Sequence, residues 1–294
     1  MFKGSMVALA TPMHEGGAVD KQALVHLIEF HISHGTQGIV AVGTTGESAT
    51  LTPEEHLAVI ELTIKTAAGR VPVIAGTGSN STHEAIDMSL EAAALGSDAV
   101  LLVTPYYNKP TQHGLLAHFQ AIANAVSLPQ FLYNVPGRTA VDMLPETVAE
   151  AAKSDNVIGI KEATGNLQRL AEIKALVDDD FILLSGDDAT SKDFMLQGGH
   201  GVISVTANVA PKLMSELCAA SIAGDEGKAT QIDTDLLPLH ENLFIEANPI
   251  PVKWCLHAMG LMQADIRLPL TVLSKEYRPQ LVDSLAAANI EIGS

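Results

Sequence analysis

One lysine directly follows a short apolar, β-branched stretch. Lys161 comes after Val157-Ile158-Gly159-Ile160, so its side chain begins within a predicted buried strand. A lysine amine attacks a carbonyl carbon only when it is uncharged, and burial disfavours the ammonium form. Lys161 is therefore a candidate for the amine of a Schiff base with a keto acid. From position alone, the alternatives are a lysine that reaches solvent at the strand end, or one that pairs with Glu162.

Other polar residues follow neighbouring apolar stretches. A phenol at Tyr133 could shuttle protons for imine formation and aldol addition, or simply be a buried tyrosine with a bonded hydroxyl. Thr44 and Thr45 lie in a glycine-flanked turn. Its backbone N–H groups could bind a carboxylate, unless the turn only leads into a helix. Arg138 could hold a second carboxylate through two hydrogen bonds, or be a surface arginine.

The elements that would position these residues alternate along the chain. Eight apolar runs are separated by stretches of helical spacing, as in a (β/α)8 barrel, an α/β fold. An open doubly wound sheet is the competing arrangement. In a barrel, residues that follow the strands meet on one rim, which would bring the candidates together. The runs are Met6–Ala10, Gly38–Val42, Val71–Ala75, Ala99–Val103, Gln130–Tyr133, Val157–Ile160, Phe181–Leu184 and Gly201–Val205.

Helix signals fall between these runs. Lys21–Ser33 has apolar residues at three-to-four spacing, and Thr52-Pro53 is typical of an N-cap followed by a first-turn proline. Ser81-Thr82-His83-Glu84 predicts a capping box before another helix.

No strand-like run follows Gly224. We predict a barrel at residues 1–224 and a small helical domain at 225–294, with these helices: Ala229–Glu246, Ile250–Met259 and Thr271–Ala288.

Composition excludes several classes of protein. With 34 acidic against 17 basic residues, the net charge is −17, and no basic stripe suits nucleic acid or an anionic membrane. The apolar start is too short for a signal peptide, which predicts a cytoplasmic protein. Cys218 and Cys255 lie in apolar stretches and are predicted to be buried rather than paired. The charged fraction of 17% hints at surface buried in a homo-oligomer.

No cofactor or metal is predicted. Residues Gly76–Ser81 begin like a dinucleotide-binding loop but lack its last glycine, and no phosphate-binding GxxxxGK loop occurs. The histidines and cysteines have no HExxH or CxxC spacing, so we expect no catalytic metal.

Five motifs, in this order along the chain, resemble those of a known family. The sequence resembles the dihydrodipicolinate synthase family, of the N-acetylneuraminate lyase superfamily, essentially from end to end. The resemblance implies a class I aldolase-type condensation of pyruvate with L-aspartate 4-semialdehyde in lysine and diaminopimelate biosynthesis. It also implies a homotetramer of two tight dimers. The motifs are GTTGES at Gly43–Ser48, TPYYNKP at Thr104–Pro110, YNVPGRT at Tyr133–Thr139, IKEATG at Ile160–Gly165 and SGDD at Ser185–Asp188.

The resemblance also implies roles for single residues. Lys161 matches the Schiff-base lysine, and Tyr133 matches a proton-relay phenol that works with the positions of Thr44 and Tyr107. In the family, the residue at the Tyr107 position reaches the site across a dimer interface. The substrate-binding matches are Thr45 for the pyruvate carboxylate, Arg138 for the semialdehyde carboxylate, and Gly186 and Ile203 for the pocket lining.

Two other functions stay open at this stage. N-acetylneuraminate lyase and the sugar-acid aldolases share the lysine and the tyrosine but usually lack the Arg138 counterpart. A barrel that only binds a metabolite is the alternative of another class, although the Lys, Tyr, Thr and Arg set argues against it.

A second site, for L-lysine as an inhibitor, is implied by the same resemblance. Glu84 could neutralise an ammonium, whereas Pro53 departs from the histidine of some lysine-sensitive members. His113 stands where the family often has glutamate, and we expect it to lie on the surface. The residues that match the lysine site are Ser48, Ala49, His56, Asn80, Glu84 and Tyr106.

Overall fold

The computed structural model describes residues 2–293 and is a closed barrel of eight parallel strands. Each strand pairs with the next along the chain, and the last pairs with the first, so the competing open sheet is wrong. The strands are β1 Gly4–Ala8, β2 Gly38–Ala41, β3 Val73–Gly76, β4 Ala99–Val103, β5 Gln130–Asn134, β6 Val157–Glu162, β7 Ile182–Ser185 and β8 Gly201–Ser204.

Helices follow the strands and form the outer layer. Within residues 2–293, three short 3-10 helices accompany them, at Ser48–Thr50, Thr206–Asn208 and Lys275–Tyr277. The α-helices are α1 Lys21–Ser33, α2 Pro53–Ala67, α3 Thr82–Leu95, α4 Gln112–Ala125, α5 Pro136–Thr139, α6 Pro145–Ala151, α7 Leu167–Lys174, α8 Ser191–Leu196, α9 Pro211–Ile222, α10 Glu226–Asn242, α11 Ile250–Ala258 and α12 Arg278–Ala287.

Successive side chains of each strand point to opposite faces, which produces two separate cores. One core fills the barrel lumen and contains Met6, Phe131, Tyr133, Leu184 and Ile203, among others. The larger core lies between the strands and the surrounding helices. A side chain near the carboxyl end of a strand therefore faces either the lumen or the helix layer, and this choice decides its role.

The observed element boundaries correct several sequence predictions. β6 continues through Glu162, so Lys161 lies within a strand and not after it. Helix α1 begins and ends as predicted, and the Thr52 N-cap forms a full capping box. The capping box predicted at Ser81 forms only in part. The Ser81 hydroxyl accepts from the Glu84 N–H, but the Glu84 carboxylate accepts a 2.7 Å hydrogen bond from the Ser79 hydroxyl instead of completing the box.

Between residues 225 and 293 the chain carries the helices α10, α11 and α12 and no strand. Helix α10 begins three residues earlier than predicted, because Asp225 caps it by accepting from the Lys228 N–H at 3.1 Å. Helix α12 begins only at Arg278, where a proline occupies its first turn. The larger core includes residues of both halves, and the division at 224/225 stays a prediction.

The two thiols agree with the sequence analysis. Cys218 and Cys255 are free and buried, and burial raises the pKa of Cys255 to about 12. Across residues 2–293, no helix has the length and apolarity needed to cross a bilayer.

Candidate active site

Lys161 and Tyr133 form the centre of the site. They are register partners on β6 and β5, so both side chains face the lumen. The Lys161 Nζ lies 4.4 Å from the centroid of the Tyr133 ring, and the residues are only 5% and 7% exposed. Burial argues against a lysine that extends to solvent. Glu162 points to the opposite face, where its carboxylate is hydrogen-bonded to Asn134 and to the Thr164 N–H, so the alternative ion pair with Lys161 is wrong as well.

Gly186, after β7, leaves the space that Lys161 occupies. A Cβ at this position would lie 2.8 Å from the Lys161 Cε and 2.6 Å from the Ala163 Cβ, closer than real Cβ contacts. Ile203 is buried on β8 and faces the same lumen. The role of both residues as pocket lining stays a prediction.

The turn after β2 carries the two candidate threonines. Thr45 is buried, and its hydroxyl accepts a 3.0 Å hydrogen bond from the Asn248 Nδ2. Gly46 packs so closely on the Val42 backbone that a Cβ would lie 2.9 Å from the Val42 Cα, so only glycine fits here. Thr44 is half-buried and lines a cavity. The turn is therefore closely packed, and its use as an anion-binding turn stays a prediction.

A buried ion pair fixes the end of the same turn. The Glu47 carboxylate contacts the Lys253 ammonium of α11, and its other oxygen accepts from the Arg267 N–H at 3.0 Å. Burial lowers the pKa of Lys253, and Glu47 opposes that effect. Lys253 is thus a second buried lysine, but it is engaged by a carboxylate and lies outside the lumen core.

Arg138 is exposed on the short helix α5, which follows β5. Its Nη2 donates to the backbone oxygen of Asn248 at 3.2 Å, so Asn248 connects Arg138 with Thr45. The Asn248 Oδ1 is buried and has no hydrogen-bond partner among residues 2–293. A cavity of about 500 Å³ opens beside Thr44, Arg138 and Asn248 but does not reach Lys161.

Tyr107 is a predicted catalytic residue that points away from the Lys161 and Tyr133 pair of its own chain. It is 90% exposed, with a φ of 72° in the left-handed region. Its side chain is therefore available to another molecule.

Most residues of the predicted lysine site meet in the same cavity. Asn80 is not part of the lining, but its Nδ2 donates to the Tyr106 backbone oxygen at 3.2 Å. The His56 ring forms a 2.8 Å hydrogen bond with the Gly76 carbonyl, and burial lowers the pKa of this histidine. His113 is exposed on α4, as expected. The lining members are Ser48, Ala49, His56, Glu84 and Tyr106.

Sequence reasoning missed Asn248 and Lys253. A charged residue within the apolar Ile250–Ala258 stretch was a usable signal for Lys253, whereas nothing local distinguishes Asn248. In the described part of the chain, no three His, Cys, Asp or Glu side chains are grouped to hold a metal ion.

Comparison with known proteins agrees with the fold and the motifs. The Dihydrodipicolinate synthetase family model matches residues 1–288. A 4-hydroxy-tetrahydrodipicolinate synthase from Methylococcus capsulatus is 60% identical over 290 residues, covering 99% of this chain and 100% of the relative.

Two solved structures are similar over nearly their whole length. A chloride-inhibited dihydrodipicolinate synthase from Acinetobacter baumannii, complexed with pyruvate, has a TM-score of 0.97 at 54% identity, covering 99% of this chain and 100% of that one. An enzyme of the same name from Cyanidioschyzon merolae, with lysine bound, has a TM-score of 0.96 at 40% identity and 99% coverage of both chains. This chain therefore belongs to the dihydrodipicolinate synthetase family.

Proposed function

We propose that this protein condenses pyruvate with L-aspartate 4-semialdehyde to give 4-hydroxy-tetrahydrodipicolinate. It is a lyase of lysine and diaminopimelate biosynthesis that works through a Schiff base. The observation that carries the chemistry is the lumen-facing Lys161 amine, 4.4 Å from the Tyr133 ring centroid and without an ion-pair partner among the described residues. The names of full-length relatives support the choice of substrates.

In the proposed first half-reaction, the Lys161 amine attacks the keto carbon of pyruvate, and water leaves as the imine forms. The Tyr133 phenol transfers the protons that this step needs. The turn that contains Thr44 and Thr45 holds the pyruvate carboxylate, because the backbone N–H groups of such a turn bind anions.

In the second half-reaction, loss of a methyl proton converts the imine into an enamine, whose carbon attacks the aldehyde carbon while the aldehyde oxygen takes up a proton. The amine of the semialdehyde then attacks the imine carbon, so the ring closes and the Lys161 amine leaves. Arg138 receives the carboxylate of the semialdehyde, because it is exposed and lines the same cavity as Thr44. Asn248 orients Arg138 through its backbone oxygen. Arg138→Ala should then harm the overall reaction far more than pyruvate capture.

The proposed assembly is a cytoplasmic homotetramer of two tight dimers. The exposure of Tyr107 supports a site completed by a partner subunit, as the family resemblance implies. L-Lysine is the proposed inhibitor, and its ammonium would meet Glu84 in the cavity. If steady-state rates do not change at saturating lysine, lysine is not an inhibitor of this protein.

Borohydride reduction in the presence of pyruvate tests the Schiff base. We expect one pyruvate adduct, mapped by peptide mass spectrometry to Lys161. Lys253, the other buried lysine, is an internal control that should stay unmodified because Glu47 engages it. An adduct absent from Lys161 in the wild-type chain would favour the metabolite-binding alternative.

A coupled assay decides the second substrate. Aspartate semialdehyde should be consumed together with pyruvate, whereas N-acetylneuraminate should not be cleaved. Cleavage of N-acetylneuraminate without semialdehyde turnover would support the sugar-acid lyase instead.

A further inference from the structure

Asn134 and Glu162 come directly after Tyr133 and Lys161 on their strands. They are themselves register partners at the ends of β5 and β6. Because side chains alternate along a strand, these two point into the helix layer while the site pair faces the lumen. Both are buried, at 0% and 3% exposure. Neither has a place in the chemistry proposed above.

Every polar side-chain atom of Asn134 and Glu162 is hydrogen-bonded. The Asn134 Nδ2 donates to the Glu162 Oε2 at 3.1 Å and to the Asp142 Oδ1 at 2.8 Å. The Asn134 Oδ1 accepts from the Met143 N–H at 2.9 Å, and the Glu162 Oε1 accepts from the Thr164 N–H at 2.7 Å. A flipped Asn134 amide would oppose two carboxylates and an N–H group, so only one orientation is satisfied.

Arg169 of α7 completes this cluster. It binds both carboxylate oxygens of Asp142, at 2.9 Å and 2.8 Å, and lowers the pKa of Asp142. Burial raises the pKa of Glu162, which its hydrogen bonds oppose. Asp142 therefore remains an acceptor for Asn134, and the helix layer is connected to the strand ends at this point.

We propose that Asn134 and Glu162 are positioning residues that set the relative placement of Tyr133 and Lys161. Their hydrogen bond joins the two strands one residue beyond the site pair, on the face that substrate does not enter. A displacement near 1 Å between reacting groups costs about 10²-fold in rate, so a bond that fixes the strand ends contributes to catalysis. This inference rests on the proposed Schiff-base function.

Glu162→Gln is the test variant, because it keeps the shape of the side chain. One carboxylate oxygen becomes an NH2 group, so in either orientation of the amide this donor faces the Asn134 Nδ2 or the Thr164 N–H. We expect kcat to fall by about 10- to 100-fold while the KM for pyruvate stays within about threefold. Asn134→Leu, which removes the same hydrogen bond, should show the same fall in kcat.

Gln130→Leu is the matched control. Gln130 is also buried on β5 and donates to the Val126 carbonyl at 3.0 Å, but it begins the strand at the end remote from the site. The Gln130→Leu variant should have a lower free energy of unfolding and an unchanged kcat. Equal kcat losses for Glu162→Gln and Gln130→Leu at matched urea midpoints would overturn the inference, and so would an unchanged kcat in folded Glu162→Gln.

Borohydride trapping separates this result from a failure of the proposed function. If the wild-type chain forms no pyruvate adduct, the proposed function and the positioning role fall together. If wild type and Glu162→Gln trap pyruvate at the same rate, only the positioning role falls. If Asn134→Leu does not fold, the isosteric Glu162→Gln decides alone.

Discussion

The contact between the Lys161 amine and the Tyr133 ring is the smallest unit on which the proposed chemistry depends. Tyr133→Phe keeps the ring that lies 4.4 Å from Nζ and removes only the hydroxyl. We expect imine formation to slow by about 10²- to 10⁴-fold, the usual weight of general acid–base catalysis. Single-turnover borohydride trapping measures this rate, with Tyr277→Phe as a control outside the site. A wild-type trapping rate would exclude the phenol as proton relay.

A substitution at Gly186 tests the same contact, because Gly186 packs against Lys161. In Gly186→Ala, the new methyl would lie 2.8 Å from the Lys161 Cε, so the amine must move. We expect kcat to fall by about 10²-fold, since displaced groups react slowly. Gly227→Ala on α10 is the control, because its Cβ would meet only the Asp225 Oδ1, at 3.9 Å. Equal kcat values for the two variants would contradict this account.

Local patterns identified the site residues that follow apolar runs. Lys161 and Tyr133 could be chosen because a polar residue at the end of a buried strand stands out in the sequence. Asn248 could not be chosen from the sequence in this way, since its hydrogen bond to Thr45 spans 203 residues of sequence. Contacts of that kind depend on how the chain closes in three dimensions, which no local spacing encodes.

At the scale of elements, hydrophobic runs predicted all eight strands and left their ends imprecise. The end of β6 is set by pairing with both neighbouring strands, which carries the ladder past Ile160 to Glu162. The Ser81 box failed because the Ser79 hydroxyl donates to the Glu84 carboxylate and accepts from the Ser81 N–H. The first error therefore arises from tertiary strand pairing, and the second from a competing local partner.

The ion pair between Glu47 and Lys253 joins two elements, the turn after β2 and helix α11. Lys253→Met leaves the buried Glu47 carboxylate without its cation, which costs about 3–5 kcal/mol of unfolding free energy. Adding Glu47→Gln removes the uncompensated charge, so the double variant should regain much of that loss. Urea unfolding measures both. A single variant as stable as wild type would show that the pair contributes nothing.

Two buried histidines make the stability of the whole molecule depend on pH. Burial lowers the pKa of His31 to about 3 and that of His118 to about 4. Their folded pKa values lie below the unfolded value of about 6.5, so their contribution is complete above that pH and is lost as pH falls below it.

His31→Gln should therefore flatten the acid side of the stability profile. Between pH 6.5 and 4.5, wild type should lose up to about 1.4 kcal/mol per pH unit more than this variant. Urea midpoints at several pH values provide the measurement. His83→Gln, at an exposed histidine, should follow the wild-type slope. Parallel profiles for wild type and His31→Gln would refute the assignment.

The site can also be tested at the scale of the assembly. The Tyr107 side chain is 90% exposed on its own chain, and the family resemblance assigns it to the site of a partner subunit. If Tyr107 acts across a dimer interface, Lys161→Ala and Tyr107→Phe subunits should complement each other. A mixed dimer has one site with both substitutions and one site with neither. Random mixing of equal amounts should then restore about a quarter of the wild-type sites.

Mixing after reversible dissociation, followed by the coupled assay, measures this restoration. Each variant taken through the same cycle alone is the control for recovery from dissociation. Lys161→Ala mixed with Tyr133→Phe is the second control, because both residues face the lumen of one chain and no mixed dimer regains a complete site. Activity that stays at the sum of the separate variants would place the Tyr107 phenol within its own chain or outside the reaction. Restoration in the first mixture alone would establish that two chains build one active site.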